Sequence, residues 1–341
     1  MRIAHVICGL GVGGAENMLV DIANHQAAQG NEVFLIVIND LVDQQVMSTI
    51  SQEVKCVFVG RPQGSRNPLW LFRYNRSLRE IDPDFIHFHD DNAVGMTFRL
   101  SKYKTGATVH DTSLVLKHYR KVDRLFAISE AVRSDVMKRY GLDSTVVYNG
   151  IHISPITPKS APSLSLTKIV QVSRLDHSKK GQHLLLQALA HPLVRDLALT
   201  VDFIGDGSSR DYLINLAGKL GLGDRVHFLG PKPRAYIYSH LCDYDLLVQP
   251  SVNEGFGLTI AEGMAARVPV LTSDIEGPLE IIGGGEYGYT FRSEDVDSLA
   301  EKIKSIHDSY GDTALMVVKA ETYCKNNFDI AVTARRYVDF Y

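Results

Sequence analysis

The sequence predicts an α/β protein built on two parallel sheets, and three observations predict it. Short apolar runs closed by Gly, Pro or Asn alternate with stretches of helical spacing along the chain. The joints between strand and helix are rich in glycine in both halves. The plan of strand, phosphate-type loop and helix that opens at residue 2 starts again at residue 168. With 341 residues, the chain is long enough for about two domains.

The elements follow in order. Arg2 to Cys8 is an apolar strand that ends on Gly9. Gly9-Leu-Gly-Val-Gly-Gly-Ala-Glu16 is a glycine-rich turn of the kind that cradles phosphate ahead of a helix. Asn17 to Gln29 places Met18, Leu19, Ile22 and Ala23 at helical spacing, and Gly30 stops it. Glu32 to Ile38 is the second strand. Residues 54–79 carry Lys55, Arg61, Arg66, Arg73, Arg76 and Arg79 without one acid, and Trp70, Leu71, Phe72 and Tyr74 are interleaved. That stretch is either a helix with a solvated basic side or a surface for an anionic lipid or acceptor. Phe85 to His89 and Ala107 to His110 alternate as strands. His87 and His89 read as hydrogen-bonded packing residues, because no ligand set surrounds them. His110 ends its strand, where α/β sites collect their ligands. Arg124 to Ser129 is a strand, a helix starts at Glu130, and Thr145 to Ile151 is the last strand of this half.

Residues 154–167 contain Pro155, Pro158, Pro162 and several serines, and read as a linker. Lys168 to Ser173 is a strand and Gln182 to Ala190 a helix. Between them Arg174 at a strand end and Lys180 at a helix start can converge on one diphosphate, with Lys179 a bystander. Leu199 to Ile204 is a strand closed by Gly205-Asp-Gly207, Ser209 to Leu220 a helix, and Arg225 to Gly230 a strand. Leu246 to Val248 is a strand closed by Pro250, Leu258 to Ala266 a helix, and Val268 to Leu271 a strand. The tail from Phe328 to Tyr341 is helical.

The composition, 45% hydrophobic and 22% charged, is that of a globular protein. A net charge of −3 gives no general affinity for nucleic acid. Residues 1–150 hold 17 Lys and Arg against 16 Asp and Glu; the remainder holds 19 against 23. Cys8, Cys56, Cys242 and Cys324 lack metal-ligand spacing, and read as free thiols in a reducing compartment. No apolar run approaches the length of a membrane span, and the N-terminus enters a strand without the layout of a signal peptide. The expected location is cytoplasmic, or peripheral at the inner face of the membrane.

The chemistry concentrates at Glu254-Gly-Phe-Gly-Leu-Thr-Ile-Ala-Glu262. Gly255 and Gly257 flank Phe256 just before a helix, so the amides of Gly257, Leu258 and Thr259 can face an anion. Glu254 and Glu262 bracket that position. A carboxylate beside a phosphate is unfavourable, so each is expected to accept hydrogen bonds from hydroxyls. Hydroxyls on both sides of a phosphate describe a sugar nucleotide.

This Glu-x7-Glu stretch resembles the signature of the retaining glycosyltransferases of family 4. Gly13-Gly14-Ala15-Glu16, Arg174 with Lys180-Gly181, and Gly205-Asp-Gly207 resemble further family motifs. Asn149-Gly150 resembles the family's Pro-Asn-Gly turn, with Tyr148 in place of Pro. The resemblance implies a GT-B fold: two Rossmann-like domains facing across a cleft. The acceptor-side domain would be residues 1–153, joined by the final helix 328–341; 154–167 would be the linker, and 168–327 the donor-binding domain. It implies transfer with retention from a nucleotide-sugar, a UDP-sugar before a GDP-sugar, to a glycan or lipid-linked acceptor. Glu254, His110, Arg174 and Lys180 are the catalytic candidates. Gly13, Gly14, Phe256, Gly257, Leu258, Thr259 and Glu262 join Arg174, Lys180 and Glu254 in binding substrate. No acidic metal-binding pair such as Asp-x-Asp ends a strand, so neither metal nor cofactor is expected.

Two rival readings stand beside it. Gly9-x-Gly11-x-x-Gly14, with Asp40 at the end of the second strand, satisfies the dinucleotide fingerprint of a nicotinamide-dependent dehydrogenase. A sugar-binding protein of the same fold without catalysis would show loss of the charged cleft residues, which are present here.

Overall fold

The computed structural model describes residues 1–11, 13–161 and 163–341; Val12 of the first glycine-rich loop and the linker residue Pro162 lie outside the described residues. The chain divides into two compact units, Met1–Gly150 with Ile330–Tyr341, and Ile151–Asp329.

The first unit holds β1 (Arg2–Ile7), β2 (Glu32–Asn39), β3 (Lys55–Arg61), β4 (Phe85–Phe88), β5 (Thr105–Val109), β6 (Arg124–Ala127) and β7 (Thr145–Val146). They form one sheet in the order β3-β2-β1-β4-β5-β6-β7, with parallel pairing throughout. β4 and β5 are buried along their whole length, as a parallel sheet covered on both faces requires. The helix Gly14–Ala28 packs against the helix Ile330–Phe340. The second unit repeats the plan with β8 (Lys168–Val172), β9 (Thr200–Ile204), β10 (Val226–Gly230), β11 (Leu246–Gln249), β12 (Val270–Ser273) and β13 (Tyr289–Phe291). Their order is β10-β9-β8-β11-β12-β13. The strand order reverses between β1 and β4, and again between β8 and β11. Ligands of doubly wound sheets sit at the carboxyl ends of strands beside such a reversal.

Several expectations need correction. Residues 54–79 are not one helix: β3 comes first, as an edge strand, and the helix Leu69–Ile81 follows Pro68. Only Thr145–Val146 of the stretch 145–151 pairs as a strand. The chain then turns away, and Gly150 lies so close to the Ile330 backbone that a Cβ there would stand 2.5 Å from its Cα. The strand expected from Val268 starts at Val270, because Arg267 adopts φ +55° and the Val268 amide bonds the Gly263 carbonyl, finishing the preceding helix. β13 and the helices Val296–Asp308 and Thr313–Asn327 were not anticipated.

The proline-rich segment 154–167 groups with the second unit and is fastened to it. The Thr157 amide donates to the Tyr238 carbonyl and the Lys159 amide to that of Ala266, at 2.9 and 2.8 Å. The Asp245 carboxylate gathers the rest, accepting from Lys159 Nζ at 3.0 Å, Ser163 Oγ at 2.6 Å, and the Thr167 amide and hydroxyl at 3.0 and 2.8 Å. The Lys168 amide adds a fifth bond at 3.0 Å. Burial alone would raise the Asp245 pKa, but the bonds from Ser163, Lys159, Lys168 and Thr167 outweigh it and hold the carboxyl at about 2.

Candidate active site

In the second unit, the candidate residues lie on the loops after β8 and β11. The chain leaves β8 through Ser173 and Arg174, makes the short helix His177–Lys180, and turns at Gly181. Gly181 has φ +66°, and a Cβ there would stand 1.8 Å from the Pro250 carbonyl oxygen, so only glycine lets the two loops meet. The contact is extended by the Val252 and Asn253 amides, which both donate to the Lys179 carbonyl at 2.8 and 3.3 Å. Two buried glutamines lock the first loop from beneath. Gln171 Nε2 donates to the Lys180 carbonyl at 2.8 Å. Gln182 Nε2 donates to the Arg174 carbonyl at 2.8 Å and to Ser173 Oγ at 3.0 Å. Sequence reasoning passed over both glutamines; the signal was an amide side chain in an otherwise apolar strand and helix.

The docked loops bring Lys180 and Glu254 into a direct ion pair, with side chains 19% and 18% exposed. The sequence placed these two residues on different parts of one ligand and did not anticipate their contact. Arg174 stands exposed on the same loop as Lys180. Gly257, at φ +110°, caps the helix Leu258–Ala265, a conformation that favours glycine. Leu258, Thr259 and Glu262 are half-buried on that helix. Phe256 is 2% exposed, and its ring meets Phe328 edge-on with centroids 5.5 Å apart, which anchors the loop in the core.

In the first unit, Gly13 is the N-cap of the helix that starts at Gly14. The Gly13 carbonyl accepts from Asn17 Nδ2 at 2.9 Å. The neighbouring Gly9–Gly11 turn is fastened to the end of β2, where the Leu10 amide bonds the Leu41 carbonyl at 2.9 Å and the Asp43 amide bonds the Leu10 carbonyl at 2.7 Å. Asp40 accepts from the Gln63 amide at 3.2 Å. Main chain that follows β2 therefore packs against this turn, and Asp40 holds the Gln63 amide.

His110 follows β5. Its Nε2 lies 3.0 Å from His89 Nδ1, and its Nδ1 is buried with no hydrogen-bond partner among the described residues. Burial lowers its pKa to about 4, so the ring is neutral near pH 7. His87 and His89 are hydrogen-bonded: His87 contacts the Tyr341 and Thr108 hydroxyls at 2.5 and 2.7 Å, and His89 reaches His5 and His110 at 3.0 Å each. The involvement of His5 was not foreseen.

The basic stretch is less uniform than its sequence suggests. Lys55 is paired with Glu32 at 2.7 Å and Arg76 with Glu80 at 2.7 Å, and Arg61 bonds Asn39 Oδ1 at 2.9 Å. Arg66, Arg73 and Arg79 remain exposed beside Leu69 and Phe72, which are 67% and 60% exposed. No helix among the described residues is long and apolar enough to cross a membrane.

Comparisons with known proteins agree with this architecture. The family model "Glycosyltransferase Family 4" matches residues 12–154, and "Glycosyl transferases group 1" matches residues 156–322. The chain is 26% identical over 339 residues to the N-acetylgalactosamine-N,N'-diacetylbacillosaminyl-diphospho-undecaprenol 4-alpha-N-acetylgalactosaminyltransferase of Campylobacter jejuni, covering 89% of this chain and 90% of that one. It is 28% identical over 256 residues to the phosphatidyl-myo-inositol mannosyltransferase of Mycobacterium leprae, covering 69% and 67%. Among solved structures, Anabaena HepE in complex with UDP and glucose superposes with a TM-score of 0.82 at 23% identity, covering 100% of this chain and 99% of that one. At that identity, the likeness speaks for the fold.

Proposed function

Because this chain is an enzyme of the family 4 glycosyltransferases and has their GT-B fold, we propose that it moves a sugar with retention from a nucleotide-sugar to a hydroxyl acceptor. The donor is a UDP-sugar in preference to a GDP-sugar. The acceptor is a glycan or a lipid-linked sugar, in the synthesis of a surface polysaccharide or glycolipid. Support for the donor comes from HepE, which was solved with UDP and glucose. Support for the acceptor class comes from relatives named for transfer to an undecaprenol diphosphate glycan and to phosphatidyl-myo-inositol.

The observation that carries the reading is the docking of the two loops beside the sheet reversal. It sets Lys180, Arg174 and the start of the helix Leu258–Ala265 on neighbouring loops. Two cations and a helix N-terminus suit a diphosphate whose charge grows as the glycosidic bond breaks. Glu254 neutralises Lys180 before the donor arrives, and on binding turns to the hydroxyls of the transferred sugar. Glu262, about one turn along the helix, takes the ribose hydroxyls. In the first unit, Gly13 and Gly14 offer main-chain amides to substrate, and His110 contacts a substrate hydroxyl. The acceptor proton passes to the donor phosphate, so no carboxylate serves as the nucleophile. The charge is borne by Arg174, Lys180 and amides, and no metal is assigned a role.

A thermal-shift panel with UDP, GDP, ADP, TDP and NAD tests the reading. A ligand at a hundred times its dissociation constant adds about 2.7 kcal/mol to the folded state. UDP is expected to give the largest shift. A shift with NAD alone would return the chain to the dehydrogenase reading.

A further inference from the structure

The first unit contains a buried polar chain to which the proposed reaction gives no part beyond His110. His110 Nε2 lies 3.0 Å from His89 Nδ1, His89 Nε2 lies 3.0 Å from His5 Nδ1, and His5 Nε2 lies 2.8 Å from Gln26 Oε1. His5, His87, His89 and Gln26 are all buried. A neutral imidazole has one N–H and one bare nitrogen, so fixing the polarity at one end of such a chain fixes every ring in it.

Gln26 supplies the fixed end. Its Nε2 donates to the Tyr341 hydroxyl at 3.3 Å. Tyr341 lies 2.5 Å from His87 Nδ1, His87 Nε2 lies 2.7 Å from Thr108 Oγ1, and Thr108 donates to the Tyr337 hydroxyl at 3.2 Å. All these bonds are satisfied together in one direction. Gln26 donates to Tyr341, Tyr341 to His87, and His87 to Thr108. The amide oxygen of Gln26 then faces His5, which donates from Nε2 and accepts at Nδ1. His89 repeats the pattern, and His110 donates from Nε2. The bare nitrogen at the end of the line is His110 Nδ1, which is buried and has no partner among the described residues.

We propose that Gln26, His5 and His89 are positioning residues for the transfer reaction: they hold His110 as its Nε2–H tautomer, so that Nδ1 stands as an acceptor for a substrate hydroxyl. The proposal rests on the reading of His110 as a substrate contact. Burial supports it by keeping the rings uncharged, with His5 and His110 lowered to about 4 and His87 and His89 well below the usual value. A charged ring in the line would carry two N–H groups and break its direction. Ring nitrogens of His5, His87 and His89 also lie within 4.8 Å of one another, close enough to hold a metal ion. Both nitrogens of each ring are already engaged in hydrogen bonds, which favours the chain over the metal.

Two-bond proton–nitrogen spectra of the full chain labelled with 15N-histidine read each tautomer directly. The wild type is expected to show His5, His89 and His110 as Nε2–H at neutral pH. Gln26→Leu should leave His110 a mixture of tautomers and lower kcat in proportion to the share that loses the bare Nδ1, about twofold for an even mixture. Its affinity for UDP should not change. An Nδ1–H tautomer at His110 in the wild type, or displacement of the His5, His87 and His89 signals by stoichiometric zinc, would overturn the proposal without touching the donor site. Full turnover in His110→Ala would overturn both the proposal and the assignment of His110.

Discussion

Replacing Glu254 with glutamine keeps the shape of the side chain and removes the charge that holds Lys180. Both partners are more than four-fifths buried, so the pair is screened less than a surface bridge. At an effective dielectric constant near 20, unit charges about 4 Å apart attract by roughly 4 kcal/mol. Desolvation of both groups offsets much of that, leaving about 1–3 kcal/mol for the charge-assisted bond. Glu254→Gln and Lys180→Met should each lower the unfolding free energy by about that amount. The double variant should lose less than the sum, with a coupling of about 1–2 kcal/mol. Binding should separate the two single variants. Lys180→Met removes an ammonium from the diphosphate and should weaken UDP about ten- to a hundredfold. Glu254→Gln releases Lys180 from its internal partner, so UDP should bind at least as tightly as in the wild type while transfer falls. Urea unfolding of the four proteins, UDP titration calorimetry and initial rates make the comparison. Strict additivity in stability would show that Lys180 and Glu254 do not stabilise each other, and equal loss of UDP affinity in both single variants would show that Glu254 does not hold Lys180 back from the diphosphate.

Three further outcomes are expected. The Asp245 carboxyl has a folded pKa of about 2 against an ordinary 3.8; a depressed carboxyl stabilises the fold above its unfolded pKa. Roughly 2 kcal/mol should therefore be lost as pH falls from about 4 to 2, and urea unfolding should show Asp245→Asn without that acid slope. Transfer in excess EDTA should stay within twofold of the untreated rate; a tenfold loss restored by magnesium or manganese would contradict the metal-free reading. The patch of Arg66, Arg73, Arg79, Leu69 and Phe72 should bind anionic vesicles at low salt and release them as salt rises. Co-sedimentation measures this, and Phe72→Ser with Arg73→Glu should abolish it; no binding by the wild type at low salt would exclude the lipid role.

The parallel α/β plan was legible because apolar runs, glycine loops and helical spacing are local properties of the chain. The strands around Val6, Ile86 and Val170 could be read because both faces of a parallel sheet are buried, which leaves an apolar run. β3 escaped notice because it is an edge strand of mostly half-buried residues, which leaves no continuous apolar run. The late helices Val296–Asp308 and Thr313–Asn327 lie in a stretch without motifs. In the candidate site, residue types and spacing located Arg174, Lys180, Glu254 and Glu262. Their contacts were hidden, because the Lys180–Glu254 pair joins residues 74 apart in sequence. The contact of Phe256 with Phe328 was hidden for the same reason: nothing near Phe256 announces its partner. His87 and His89 looked like packing residues, and they are buried, while His5 drew no notice. Their chain to His110 depends on register, which sets His5 beside His87 on adjacent strands.

The proposed function seats a nucleoside diphosphate on the second unit, with Glu262 on its ribose. Calorimetric titration of UDP into the wild type and into Glu262→Ala tests it most directly. A charge-assisted hydrogen bond of about 1.5–3 kcal/mol sets the scale. Saturable UDP binding by the wild type is expected, with a roughly ten- to hundredfold weaker constant for Glu262→Ala. Unchanged UDP affinity in the variant, or a wild type that ignores every nucleoside diphosphate and binds NAD, would contradict it.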